Sequence, residues 1–293
     1  MDPLVSVQTI ADRVGLSEAG TRARLRSLEN RGLLRNTEVQ LNPALFGATV
    51  IKTNVSIHDP RDSEALFRDL SVLDGVLFAR DIMDESERKV GVFLACDSTA
   101  ATARRMALLQ RLAPMGKLGD STPYWLPPCG YRLTPLDWRL LSGFRHHPDA
   151  TLARVATEAR VSLKTAGRRC KSLLESHAIW WSHGADTEEW GLALVKVVLR
   201  RGLEAAEVRP EIAGHFDYWL PVAPGGLGSH PDEEQATVAG LVPSERPAAL
   251  EHALRATLSI NGVAAIHRTF GLGSRSYSHW ADEQLASRLH NSR

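Results

Sequence analysis

The sequence predicts an α+β protein made of two similar halves, each with a helical region followed by an antiparallel sheet. Three observations support this class: an internal repeat, helical periodicity that begins at polar caps, and one order of strands and helices that occurs twice. The segment Ile10–Ser17 has a counterpart in Val155–Ser162, an offset of 145 residues from Ser17 to Ser162. At this offset the matching pairs are Arg24 with Arg169, Leu28 with Leu173, Leu34 with Ile179, and Thr49–Ile51 with Leu194–Lys196.

Each helical region contains a pair of helices joined by a capped turn. Ser17 can accept a backbone N–H bond at the start of the second helix, and Leu25 follows at helical spacing. Gly32 is placed to end that helix in a left-handed conformation. Ser162 is the equivalent cap in the second half, where His177 replaces Gly32 and predicts a less sharply defined helix end.

The second half has one more helix before this pair, over Thr134–Leu141, where the first half offers only Met1–Val5. Because three helices are needed to bury the core of such a motif, we expect the first copy to be weak by itself. A start codon placed too late, or a helix supplied by another part of the chain, would explain the difference. Trp280–Leu289 is a candidate donor, since its apolar residues fall on one side of a helix.

The order strand–helix–strand–strand–helix–strand follows each helical region. It predicts a ferredoxin-like (βαββαβ) antiparallel sheet with both helices on one face, and an apolar second face that packs against another sheet. In the first half the predicted strands are 49–56, 76–82, 89–95 and 124–126, and the helices are 63–73 and 99–112. In the second half the predicted strands are 193–199, 218–222, 237–241 and 264–270, and the helices are 205–212 and 248–259.

These elements predict two winged helix-turn-helix domains that alternate with two ferredoxin-like domains. Pro127–Gly130 is a suitable linker between the halves, because Pro and Gly interrupt regular structure. The predicted boundaries are 1–42 for the first helical domain, 45–128 for the first sheet domain, 133–187 for the second helical domain, 190–275 for the second sheet domain, and 276–293 for a C-terminal helix or tail.

Composition is that of an ordinary globular chain. Of its 293 residues 43% are hydrophobic, and the net charge of +1 requires any nucleic-acid surface to be local. No basic leader with an apolar stretch begins the chain, and no apolar run approaches the roughly 20 residues of a membrane span. The three cysteines are far apart, and His146 and His147 are adjacent without a suitably spaced partner. We therefore expect a cytoplasmic protein with no membrane segment, no disulfide framework, no metal site and no cofactor.

The first helical segment resembles the helix-turn-helix signature of the Lrp/AsnC regulators, and the second resembles it more loosely. The residues that carry the resemblance are Leu16-Ser17-x-x-x-Thr21-x-x-Arg24-Leu25-x-x-Leu28-x-x-x-Gly32-Leu33-Leu34, and then Val161, Ser162, Arg169, Leu173 and Ile179. The resemblance implies a tandem-duplicated DNA-binding transcription regulator that is not an enzyme. It also implies a homodimer or higher homo-oligomer and an amino acid or other small metabolite as effector.

Two segments depart from the effector domain of that family, which carries a Gly-rich turn and an acidic residue between its central strands. Asp81–Glu85 in one half and Gly225–Gly228 in the other match this pattern poorly. The residues that would bind an effector therefore stay unassigned.

DNA binding needs an exposed helix face with cations and hydrogen-bonding side chains. Between residues 134 and 183 eight basic residues stand against four acidic ones, so a local positive patch is predicted. The candidate DNA-contacting residues are Ser17, Thr21, Arg22, Arg24 and Arg26 in the first copy, and Ser162, Lys164, Thr165, Arg168, Arg169 and Lys171 in the second.

Two other classes of function are open alternatives. The siroheme decarboxylases resemble the same family, and a tetrapyrrole-acting enzyme of that kind would use His and Arg side chains for the ligand's propionates. The candidates are His215, Arg209, His267 and Arg268. The second alternative is a metabolite-sensing protein that does not bind DNA, which the incomplete first helical copy favours.

Overall fold

The computed structural model describes residues 6–30, 37–83, 87–112, 117–124, 126–147, 150–183, 192–200, 202–203, 208, 211–212, 215, 218–220, 237–243 and 247–290. Contacts divide the chain into two compact units. The helical unit comprises 1–48, 127–186 and 278–293, and the sheet unit comprises 49–126 and 187–277.

The fold is α+β with antiparallel sheets, as predicted. In the first half the elements are α1 (Val7–Val14), α2 (Glu18–Asn30), β1 (Thr37–Leu41), a 3₁₀ turn (Pro43–Phe46), β2 (Thr49–Ile57), α3 (Pro60–Leu70), β3 (Val76–Met83), β4 (Arg88–Cys96), α4 (Thr99–Leu112) and β5 (Thr122–Tyr124). In the second half they are α5 (Pro135–His146), α6 (Leu152–Glu158), α7 (Leu163–Glu175), β6 (Ile179–His183), β7 (Leu192–Leu199), β8 (Tyr218–Leu220), β9 (Thr237–Pro243), α8 (Pro247–Leu258), β10 (Val263–Ser276) and α9 (His279–His290).

Three helices form the core of the second helical copy. The predicted extra helix is α5, which begins with a reciprocal capping box between Thr134 and Asp137 and with Pro135 in its first turn. Helices α5, α6 and α7 pack on one another. Residues from all three are buried, among them Leu141, Phe144, Val155, Cys170 and Leu173.

The first helical copy buries far less. Within α1 and α2 the buried residues are Ala11 and Thr21, while Leu25 and Leu28 are only half-buried. The prediction that Thr21 lies on the exposed, DNA-contacting face of α2 is wrong, since the residue is only 3% exposed. It occupies the position of Ala166, which is buried in α7 at the same offset of 145.

The tail helix α9 packs against α5 and therefore adds to the second copy. Trp280 is buried, and its ring meets Phe46 edge-on at 5.6 Å between centroids. The Arg145 side chain holds the region together, because it donates to Asp282 at 2.6 Å and to the Val39 carbonyl at 2.9 Å. The structure thus shows this helix on α5, whereas one of our two explanations had made it a possible third helix for the first copy.

A two-stranded antiparallel sheet joins the two helical copies. β1 pairs with β6, and Val39 lies opposite Trp181 at the centre of the ladder. The ring of Trp181 packs edge-on against Phe144 at 5.1 Å. The fully buried Asn42 side chain donates to the His177 and Pro127 carbonyls, both at 2.9 Å. Backbone and side-chain hydrogen bonds therefore fasten the end of one copy to the other.

The sheet unit contains one eight-stranded antiparallel sheet in the order β5-β2-β4-β3-β10-β7-β9-β8. The sheet consists of two groups of four strands, β2–β5 and β7–β10. In each group the strands lie side by side in the order fourth, first, third and second, counted along the chain. We expected the open faces of the two sheets to pack on each other, whereas the join that the structure shows is edge to edge, between β3 and β10. β10 reaches both groups because it runs to Ser276, beyond the predicted end at Phe270.

The helices of the sheet unit cover one face of each group. Residues of α3 and α4 bury the side of β2, β3 and β4 that includes Val55, Val92 and Leu94, and α8 covers the side of β7 that includes Val195 and Val197. Val55 and Val197, which are 142 residues apart, both face the helices, whereas an odd offset such as 145 pairs residues of β2 and β7 that lie on opposite faces. The alignment of Thr49–Ile51 with Leu194–Lys196 is therefore wrong.

Candidate functional site

The face of β2, β4 and β3 opposite the helices forms the strongest candidate site. Side chains alternate between the two faces of a strand. Because Val90, Val92 and Leu94 of β4 face the helices, the residues between them face the opposite side of the sheet. Residues that are paired across neighbouring strands lie on the same face, so the strand pairing identifies the residues of β2, β3 and β5 that share this side. We call this the aromatic–basic face, made of Lys52, Asn54, Phe78, Arg80, Lys89, Gly91, Phe93 and Tyr124.

Three aromatic rings cluster on the aromatic–basic face. Phe78 and Phe93 are stacked, with centroids 3.8 Å apart and planes inclined by 17°. Tyr124 meets Phe93 edge-on at 4.8 Å. Burial raises the pKa of Tyr124, an effect that the positive charge of Arg80 partly opposes. The phenol therefore stays protonated at neutral pH.

Three cations surround this cluster. The Arg80 guanidinium lies 5.5 Å from the centre of the Phe78 ring, within the range of a cation–π contact, and the residue is exposed. Lys52 and Lys89 are half-buried, and Lys89 lies 3.8 Å from Glu87. The face thus combines apolar rings with an excess of positive charge, which suits a flat ligand that carries anionic groups.

Of the residues predicted to serve a tetrapyrrole, the described neighbours His267 and Arg268 do not share a face. His267 is exposed, whereas Arg268, its neighbour in β10, points to the opposite side and approaches Glu251 of α8 at 4.0 Å. His215 is exposed, and Arg209 lies outside the described residues. Sequence reasoning missed the aromatic–basic face, although the alternation Lys89-Val90-Gly91-Val92-Phe93 was a signal that could have found it.

In the second helical copy α7 presents a positive face. Ser162 caps the helix by accepting from the Thr165 N–H at 3.1 Å, and Lys164, Arg168 and Lys171 are exposed. Arg169 is instead half-buried: it donates to the Tyr131 hydroxyl at 3.4 Å and lies 3.8 Å from the buried Asp137 carboxylate. These two partners raise the pKa of Arg169. The side chain is therefore held by contacts within the protein.

The corresponding residues of α2 differ in their surroundings. The Ser17 hydroxyl accepts from the Gly20 N–H at 3.1 Å, and Arg22 forms an ion pair with Glu18 one turn earlier. Arg24 and Arg26 are exposed. As described above, Thr21 points into the protein.

Other sequence features provide little chemistry. Where the structure describes the chain, no three His, Cys, Asp or Glu residues lie close enough to hold a metal ion. No described helix is long and apolar enough to cross a membrane. The Asp81 part of the predicted acidic turn is buried in an ion pair with Arg88, and Gly225–Gly228 lies outside the described residues.

No protein-family model matches the chain, and no curated protein matches its sequence significantly. Among solved structures, the siroheme decarboxylase NirDL matches 98% of this chain and 95% of its own, with 14% identity and a TM-score of 0.50. A second structure of NirDL, in complex with an iron-uroporphyrin III analogue, matches at 15% identity, the same coverage of both chains and the same TM-score.

Regulators of the Lrp/AsnC type match about half of the chain. The leucine response regulatory protein LrpA of Mycobacterium tuberculosis matches 43% of this chain and 84% of its own, with 20% identity and a TM-score of 0.32. AsnC of E. coli matches 49% of this chain and 94% of its own, with 15% identity and a TM-score of 0.32. A match that covers 98% of this chain is therefore to an enzyme, and it overturns our expectation that this protein is not one. At these identities the likeness shows a shared fold.

Proposed function

We propose that this protein is an enzyme that binds a carboxylate-bearing tetrapyrrole on the aromatic–basic face and removes carboxyl groups from it. The observation that carries the proposal is the cluster of Phe78, Phe93 and Tyr124 flanked by Arg80 and Lys52. The fold supports it, because a structural match over 98% of the chain is a siroheme decarboxylase. A tetrapyrrole is a flat apolar ring with anionic side chains, and the face offers a complement to both parts.

Decarboxylation defines what the protein must supply. The carbon–carbon bond to the carboxylate breaks, carbon dioxide leaves, and the electron pair left on carbon takes up a proton. Cations on the face would hold the carboxylates and orient the ligand. Tyr124 is a candidate proton donor, since its hydroxyl is protonated at neutral pH, although burial raises its pKa and makes it a weaker acid.

The test is direct. Purified protein is titrated with iron-uroporphyrin III and followed by the absorbance of the macrocycle, and it is then incubated anaerobically with siroheme. Saturable binding, with a product lighter by the mass of carbon dioxide, is the expected result. A Phe93→Ala variant should bind weakly, and Phe46→Ala, an aromatic change in the helical unit, serves as the control. Failure of the natural protein to bind either macrocycle would refute this function.

We also propose that the chain arose by tandem duplication, in the predicted order of helical and sheet regions. The support is local and detailed. Ser6 and Thr151 are N-caps 145 residues apart, and so are the left-handed residues Gly15 and Arg160. α2 and α7 begin and end at the same offset. β1 and β6 follow at 142, which places a three-residue difference between the helices and the strands.

DNA binding is the second candidate function. The exposed Lys164, Arg168 and Lys171 on a helix whose other side is buried favour it. In this proposal the protein is a regulator of the Lrp/AsnC kind that assembles into homodimers or larger oligomers and responds to a small metabolite such as an amino acid.

Salt-dependent binding tests this second function. The chain should bind the DNA upstream of its own gene, and the affinity should fall steeply between low and physiological salt because phosphate contacts dominate. Light scattering of the same sample reports the oligomeric state. Absence of DNA binding at low salt would remove this candidate and leave the enzymatic proposal untouched.

A further inference from the structure

Arg168 and Arg169 are neighbours in α7 but lie in different surroundings. Successive residues of a helix are about 100° apart around its axis, so the two side chains leave α7 in different directions. Arg168 is exposed on the positive face, together with Lys164. Arg169 lies at the border of the buried stripe that contains Ala166 and Cys170, and its side chain is 33% exposed. Arg168 is therefore the better placed of the two for a contact with phosphate.

Arg169 has two partners outside α7. Its guanidinium donates to the Tyr131 hydroxyl at 3.4 Å and lies 3.8 Å from a carboxylate oxygen of Asp137. Tyr131 belongs to the segment before α5, and Asp137 lies in the first turn of that helix. We call these three residues the Arg169 clasp. The clasp connects the middle of α7 to the start of α5.

Asp137 is the buried partner in the clasp. One of its carboxylate oxygens accepts from the Thr134 N–H at 2.8 Å and from the Thr134 hydroxyl at 2.7 Å. The other, Oδ1, has no hydrogen-bond partner among the described residues. A buried carboxylate is costly without a nearby positive charge, because burial removes its hydration. Arg169 supplies that charge, so the attraction between the two groups favours one orientation of α7 against α5.

The first helical copy provides an internal comparison. Arg24 occupies the place of Arg169 at the offset of 145, yet it is exposed. The described part of the first copy contains no third helix that would bring a carboxylate to this arginine. The inward position of Arg169 thus depends on α5 and not on the helix pair that both copies share.

We propose that Arg169 is a positioning residue for DNA binding, which holds α7 against α5 through Tyr131 and Asp137. A helix contacts a ligand well only when its side chains are held within a narrow range of positions. The clasp fixes that orientation for Arg168 and Lys164. This inference rests on the proposed DNA-binding function and deepens it, because it separates the residue that orients the helix from those that contact phosphate. It differs from our prediction from the sequence, in which Arg169 itself contacts DNA.

Salt-dependent binding to the DNA upstream of the gene distinguishes a positioning residue from a contacting one. Arg168→Ala should weaken binding and lower the slope of log affinity against log salt concentration by about one unit, because a phosphate contact is lost. Arg169→Ala should weaken binding about tenfold and keep the slope of the natural protein. The reason is that the clasp raises the fraction of correctly oriented helices in the free protein, so its loss leaves the phosphate contacts of the complex unchanged in number.

Tyr131→Phe tests the clasp from its other end. It removes the hydroxyl without changing any charge, and it should weaken DNA binding by a smaller factor than Arg169→Ala. The double variant should bind no more weakly than Arg169→Ala alone, since both changes act on one contact. Arg169→Lys should recover part of the affinity, because it keeps a positive charge beside Asp137.

Controls separate these results from a loss of structure. Circular dichroism and thermal unfolding establish that each variant is folded, and Arg104→Ala, which removes an exposed arginine of α4, should bind like the natural protein. A slope that falls in Arg169→Ala as it does in Arg168→Ala would overturn the proposal, because it would make Arg169 a phosphate contact. Unchanged affinity in Arg169→Ala, or tighter binding in Tyr131→Phe, would overturn it as well. If the natural protein binds no DNA at low salt, the DNA-binding function is wrong and this inference falls with it.

Discussion

The two helical copies share their local structure and differ in how they are packed. Both have a capped short helix, a left-handed residue and a thirteen-residue second helix, in the same register. Among the described residues, a third helix, α5, covers the apolar side of the second copy alone, where Ala166, Cys170 and Leu173 of α7 are fully buried. The same local signals thus specify a helix pair whether or not a core forms, and stability must come from the third helix.

The largest expected effect is a difference between the two copies in the stability that is lost when a leucine is truncated. Leu173→Ala, in the buried stripe of α7, should lower the free energy of unfolding by about 2–5 kcal/mol, because it leaves a cavity. Leu28→Ala, its counterpart in α2, should cost about 1 kcal/mol, because that side chain is only half-buried. Chemical denaturation followed by circular dichroism measures both.

Leu163→Ala, on the exposed side of α7, is the control and should change little. Equal costs for Leu28→Ala and Leu173→Ala would break the comparison, since they would mean that the first copy is covered as well as the second in solution.

The next effect concerns DNA and sharpens the same comparison. A variant with Arg168→Ala and Lys171→Ala should bind DNA about tenfold or more weakly and with a shallower salt dependence, because phosphate contacts are lost. Arg24→Ala with Arg26→Ala should have less effect, since the less packed first copy positions its helix less rigidly. Titrations at two salt concentrations measure both. A larger loss from the α2 variant would reverse the assignment of the stronger DNA-binding copy.

The smallest effect is at the left-handed turn. Arg160 has φ of 57°, a conformation that costs a side-chain-bearing residue about 1 kcal/mol, whereas Gly15 adopts φ of 66° without that cost. Arg160→Gly should therefore stabilise the protein by a few tenths of a kcal/mol up to about 1 kcal/mol, and Gly15→Ala should destabilise it by about 1 kcal/mol. Thermal unfolding measures both. A loss of stability in Arg160→Gly would show that its side chain makes contacts worth more than the strain.

His177 gives a related lesson about helix ends. We expected the end of α7 to be poorly defined because His177 stands where the first copy has Gly32. The helix instead stops at Glu175, and His177 itself takes the left-handed conformation with φ of 54°. The carbonyl of His177 accepts from the buried Asn42, so a tertiary contact fixes the turn that glycine would have favoured.

The sequence by itself determined many of the helices and strands that the structure describes. Caps such as Thr134 and Ser162, the left-handed Gly15, and alternation along β4 are local signals, so helices such as α4 and strands such as β3 lie within a residue or two of their predicted bounds. The α+β class and the internal offset follow from the same signals.

Tertiary structure alone decided how the copies meet. The pairing of β1 with β6, the join of β3 to β10 and the docking of α9 on α5 depend on contacts between residues more than 100 positions apart. No local pattern encodes which open strand edge a second strand will find. The aromatic–basic face has the same origin. Phe78, Phe93 and Tyr124 are far apart in the sequence, and the pairing of four strands brings them onto one surface.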